Sequence, residues 1–151
     1  LPDSARRASM PGVTRAEREL IVGVLNTPGE AMLAMDALED ADLEPLRTGR
    51  LLRLVLTTDV QDPAQMPARI LAGLTEEERR WVTGLRMSAG VVATPQECVR
   101  AIRVLRLERE RGDVQREIDR LQDTGGAAST ARIMELWTRK KELLAQIESL
   151  A

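Results

Sequence analysis

The stretch TPQECVRAIRVLRLERERGDVQREIDRL, residues 94–121, changes character half-way along. Its opening Thr94-Pro95-Gln96-Glu97 has the form of a helix start, with a hydroxyl for the free amides, proline at the first helical position and a carboxylate three residues on. From Cys98 to Leu107 the residues are apolar on most sides of a helix: Cys98, Val99, Ala101, Ile102, Val104, Leu105 and Leu107. Such a segment is expected to be surrounded by other helices. From Glu108 onward the helix is strongly charged, and only Val114, Ile118 and Leu121 continue the spacing that runs from Leu107 through Arg111. That narrow stripe has the spacing of a coiled-coil seam. One helix is therefore expected to belong to a bundle in its first half and to project from it in its second. Gly112, inside this helix, reads either as a hinge or as a merely tolerated glycine.

A partner for the seam lies further on, in ELWTRKKELLAQIESL, residues 135–150. At helical spacing Leu136, Leu143, Ile147 and Leu150 share one stripe, with Ile133 just before it and Lys140 interrupting it. Trp137 and Leu144 widen the stripe on one side. The breaker Asp123-Thr124-Gly125-Gly126 lets this last helix return as an antiparallel hairpin, with Ser129 or Thr130 as its expected cap. A wide stripe facing a narrow one leaves apolar groups over. Trp137 and Leu144 are the candidates, to be covered either by the chain's own bundle or by another protein.

Composition supports the helical reading. The 151 residues contain no Phe, no Tyr and two Trp, so the core must be built from Leu, Val, Ile, Met and Ala. Leu, Met and Ala are strong helix formers. Further helix starts recur: Thr14-Arg15-Ala16-Glu17 and Thr75-Glu76-Glu77-Glu78 as capping boxes, Thr27-Pro28-Gly29-Glu30 as a third, Asp42 capping a helix to about Thr57, and Asp62-Pro63 opening one through Leu74. Within the Asp42 helix, RLLRLVLTT also suits a strand, but nothing is available to pair with it. Gly90 is the expected stop of the helix carrying Trp81, Val82, Leu85 and Met87. The prediction is an all-α chain of seven helices. Residues 1–12 form a disordered linker, 13–106 a helical bundle of about six helices, and 107–151 a C-terminal helical hairpin.

Several kinds of chemistry are excluded or disfavoured. With no His and one Cys, no Cys/His zinc site and no His-based triad forms within one chain. Cys98 forms no internal disulfide and reads as a small core residue in a reducing compartment. Glu76, Glu77 and Glu78 have the composition of a metal cluster, but consecutive helical residues point apart, and carboxylates favour a helix N-terminus. Arg100, Arg103, Arg106 and Arg109 suggest a phosphate face, with ion pairing to Glu108, Glu110 and Asp113 the preferred explanation. A net charge of −2, from 22 basic and 24 acidic residues, predicts at most weak nucleic-acid binding. No apolar run approaches the roughly 20 residues of a bilayer span, and no signal peptide is visible. A cytoplasmic setting is expected, and the initial Leu1 suggests part of a larger protein.

Three segments carry a family resemblance: RAERELIVGVLNTP near the start, RLERERGD in the long helix, and the terminal ELWTRKKELL. Together, over about residues 14–150, they resemble the C-terminal domain of bacterial DnaG-type primases. The resemblance implies a helical bundle followed by a hairpin, which docks the primase onto the N-terminal collar of a hexameric DnaB-type helicase and modulates it. It implies no catalysis, no cofactor and no metal in this domain, because the family's zinc-binding and polymerase domains are separate. The partner-binding residues it suggests are Trp137, Lys140, Lys141, Leu144, Ile147 and Glu148, with Trp137 as anchor and the lysines steering an acidic rim. The first segment is also similar to the N-terminal collar domain of DnaB-type helicases. An oligomerisation collar is thus the alternative reading, against which the ELW ending argues.

Overall fold

The computed structural model describes residues 12–88, 90 and 93–151. Among these residues there are eight α-helices, one short 3-10 turn and no strand. The helices are α1 (Arg15–Asn26), α2 (Pro28–Met35), α3 (Asp40–Leu43), α4 (Gly49–Thr57), α5 (Met66–Gly73), α6 (Glu76–Ser88), α7 (Pro95–Thr124) and α8 (Ala127–Leu150). The chain is all-α, and RLLRLVLTT is helical up to Thr57, as expected, with Thr58 as the cap. The linker expected at 1–12 lies outside the described residues except for Gly12. Among the described residues no helix is long and apolar enough to cross a membrane. The chain divides into two compact units, the first ending at Ile102 and the second comprising Arg103–Ala151.

The first unit is organised around α1. Six consecutive residues of this helix, Leu20 to Leu25, are buried, so it is covered on all sides. It packs against α2, α5 and α6. Around it gather Met35, Leu43, Leu52, Val55, Met66, Ile70, Trp81 and Val82, together with Cys98, Val99 and Ile102 from the start of α7. The central position belongs to α1, and this corrects the expectation for α7. Cys98, Val99, Ile102 and Leu107 are buried, but Ala101 and Leu105 are exposed and Val104 is half-buried. The first half of α7 is packed on one side only.

The entry to α1 is a polar clasp. Glu17 is buried, and its carboxylate accepts four hydrogen bonds. Oε2 accepts from the Thr14 amide at 2.7 Å and its hydroxyl at 2.8 Å, while Thr14 Oγ1 accepts from the Glu17 amide at 3.3 Å. This is the expected capping box. Oε1 accepts from the Thr48 amide at 3.2 Å and the Thr48 hydroxyl at 2.7 Å. One carboxylate therefore holds the starts of both α1 and α4.

Three expected helix starts are corrected. Thr27 makes no side-chain cap, because its hydroxyl instead donates back to the Gly23 carbonyl at 3.1 Å, while Pro28 still opens α2. Asp42 does not cap a helix to Thr57. It sits inside the short α3, where its carboxylate accepts from the Glu39 amide at 2.9 Å. Pro45 cannot supply a helical amide and ends that helix, so the chain turns and restarts at Gly49. There an added Cβ would lie 2.5 Å from the Leu43 carbonyl oxygen, a contact only glycine permits. The last helix is capped at Gly126 rather than Ser129 or Thr130. The extended backbone of Gly126 lets Ala127 and Ala128, both strong helix formers, begin α8 earlier. Dividing 42–57 into α3 and α4 also turns the expected seven helices into eight.

Three other expected helix starts keep the residues read for them. The Thr75 amide donates to Glu78 and the Glu78 amide to Thr75 Oγ1, at 3.0 and 3.2 Å. Asp62 accepts from the Ala64 amide at 3.0 Å. Thr94 Oγ1 accepts from the Glu97 amide at 3.2 Å.

In the second unit, α7 and α8 form an antiparallel hairpin. Arg139 pairs with Glu110 at 3.0 Å and Arg132 with Glu117 at 3.4 Å. One heptad forward on α7 thus matches one heptad back on α8, which defines the antiparallel register. Leu107, Ile118, Leu136 and Leu143 are buried, and Val114, Leu121, Ile133, Ile147 and Leu150 are half-buried. The turn uses Gly125 at φ 52°, the left-handed conformation that closes a helix. The exposed ion pairs are worth little individually and act mainly on register.

Two predictions follow from this packing. Replacing Glu17 with Gln puts an amide donor against donors, and is expected to cost about 2 kcal/mol in urea unfolding. Helix α7 runs unbroken through Gly112, where an added Cβ meets only the Arg116 side chain at 3.6 Å. Gly112→Ala is therefore expected to stabilise the chain by about 1 kcal/mol in the same assay. Loss of stability would restore the hinge reading.

Candidate docking face

Helix α8 carries two apolar stripes. The first is the seam of the hairpin, through Ile133, Leu136, Leu143, Ile147 and Leu150. The second, one position over, runs through Met134, Trp137, Lys141, Leu144 and Glu148. Its spacing of three and four residues keeps these side chains on one face for about 21 Å of helix. Met134 is 67 % exposed, Trp137 41 % and Leu144 40 %. Large apolar groups in a row on one helix are the surface feature that singles out this face.

The residues proposed from sequence divide accordingly. Trp137, Lys141, Leu144 and Glu148 are exposed on the second stripe, whereas Ile147 is half-buried on the seam. Lys140 is also half-buried. Its Nζ donates to Gln115 Oε1 of α7 at 2.5 Å and lies 4.7 Å from the centroid of the Trp137 ring. Among the described residues, Lys141 and Glu148 make no ion pair, so both charges are available to a partner. Met134 was missed by the sequence reading, although it stands three residues before Trp137 and so one helical turn away on the same face.

Other candidates have structural roles. Glu76 pairs with Arg80 at 2.9 Å, and Glu78 closes its helix cap and pairs with Arg50. Among the described residues no three Asp, Glu, Cys or His side chains converge as a metal site. The ion-pairing explanation for the arginine run is corrected in part. Arg106 pairs with Glu110 at 2.8 Å, but among the described residues Arg100, Arg103 and Arg109 have no ion pair. Residues three apart drift around a helix by about 60° per step, so the four arginines spread over roughly half its circumference and make no single cradle.

Cys98 is buried in the first unit. Burial, and then the nearby Glu19 and Glu97, push its thiol up to about 11. A thiol so placed holds almost no thiolate near neutrality.

No family model, curated protein or solved structure matches this chain significantly.

The native chain is expected to resist thiol reagents at mildly alkaline pH, with Cys98 modified on the order of a hundredfold more slowly than in urea. Mass spectrometry of quenched time points measures this directly. Rapid modification of the native chain would contradict the burial of Cys98.

Proposed function

We propose that this chain is a protein-docking domain and that its partner is the N-terminal collar of a hexameric DnaB-type replicative helicase, as in the DnaG-type primases it resembles. The observation that carries the docking reading is the second stripe of α8, with Met134, Trp137 and Leu144 exposed in a row. The helicase is named on the resemblance of the RLERERGD and ELWTRKKELL segments. In this reading the domain is non-catalytic, works in the cytoplasm, and brings a primase to the replication fork while modulating the helicase.

Trp137 is the anchor. A large, amphipathic ring contributes contact area with few rotatable bonds, and Trp is enriched among the residues that dominate binding energy. Leu144 extends the apolar contact, and Lys141 and Glu148 supply a charge of each sign to fix register. A face about 21 Å long and one helix wide is smaller than the roughly 800 Å² per partner of a standard interface. Affinity over so small a face therefore has to come from a few well-packed anchors rather than from area.

The test is calorimetric titration of the chain into the hexameric helicase of the same genome. Trp137→Ala is expected to weaken binding at least about tenfold. Because the ring is substantially exposed, the variant's unfolding midpoint should move little. Undiminished binding by the folded variant would move the interface off α8. Ring formation by the chain alone, without helicase binding, would favour the collar reading.

A further inference from the structure

We infer that Lys140 is a positioning residue for the docking face: held by Gln115, it fixes the Trp137 ring in one orientation before any partner arrives. This rests on the docking reading of α8 and assigns Lys140 a task other than steering. The observation is a three-residue chain across the hairpin. Gln115 Oε1 on α7 accepts from Lys140 Nζ at 2.5 Å, and the same ammonium lies 4.7 Å from the Trp137 ring centroid.

Each link has a physical reason. Lys140 occupies a seam position, between Leu136 and Leu143, where an uncompensated ammonium is costly. Gln115 compensates one of its three donors, and the face of the indole offers the negative end of its quadrupole to the charge. The ammonium cannot leave this place without losing both. Trp137 has no such restraint on its outer side, where it is 41 % exposed. An indole on an open helix face samples several rotamers, and a partner that needs one of them must take up the ordering cost at binding. With a cation fixed under the ring by the opposite helix, part of that cost is met in the folded hairpin. The hairpin seam and the docking stripe, one position apart on α8, are thereby coupled through a single side chain.

The experiment compares the wild type with Lys140→Met and Lys140→Arg. Methionine matches the side chain as far as Cε without the ammonium and suits an apolar seam, so thermal unfolding should not fall. Arginine keeps a cation that can reach both Gln115 and the ring. The readout without partner is fluorine NMR of fluorotryptophan-labelled chain, with the Trp137 resonance assigned by Trp137→Phe. The expected result is that Lys140→Met shifts or broadens the Trp137 resonance, leaves that of Trp81 in place, and weakens helicase binding about three- to fivefold. Lys140→Arg is expected to restore both. An unmoved Trp137 resonance in folded Lys140→Met overturns the inference, as does a moved resonance with unchanged helicase affinity. If the wild type itself does not bind helicase, the docking reading fails, and with it the affinity arm. The resonance arm then still decides whether Lys140 orders the ring.

Discussion

The carboxylate of Glu17 is the clasp on which the first unit depends. This chain has no Phe or Tyr to fill space with large rigid rings, so its core is assembled from many aliphatic side chains on short helices. Short helices have little intrinsic stability and need their ends held. Glu17 holds two at once: the start of α1 through Thr14 and the start of α4 through Thr48. Its two oxygens take four donors, which accounts for a carboxylate being buried at this point. With α1 fixed in direction, its buried run from Leu20 to Leu25 becomes the axis about which the other helices pack.

Half of that clasp was legible and half was not. Thr14 and Glu17 stand three apart, and a capping box is a local pattern. The bonds from Thr48 span 31 positions and leave no local mark. The same division recurs elsewhere. The box at Thr75 and Glu78 was readable, whereas the Thr27 hydroxyl, placed between two helices, serves the one behind it. Pro45 marks the end of α3 in the sequence itself, whereas the restart at Gly49 depends on a close approach to the Leu43 carbonyl that leaves no local mark. The apolar first half of α7 could not reveal that α1 held the centre, since composition says how apolar a helix is and not how many neighbours it has.

On α8 the pattern was more informative. The seam through Leu136 and Leu143 follows directly from heptad spacing, and the excess of Trp137 and Leu144 follows from comparing two stripe widths. Charge was harder. Lys140 and Lys141 are adjacent and chemically identical, yet one is tied into the hairpin and the other is exposed. They differ in helical position: Lys140 falls on the seam, where Gln115 of the other helix meets it, and Lys141 falls one residue further round on the exposed stripe. The distinction separates a side chain that is built into the hairpin from one that is exposed on its surface.

The turn at Gly125 and Gly126 has a consequence for how this molecule can be handled. Nothing lies within 4 Å of where a side chain would begin at either glycine, and the residues on both sides are exposed. The hairpin is joined there by a connection that no packed group leans on. Extra residues inserted at 125–126 would lengthen a loop, and loop entropy grows only slowly with length. A reporter or a cleavable tether could be spliced into the tip, turning the two helices of the hairpin into separately addressable strands of one polypeptide.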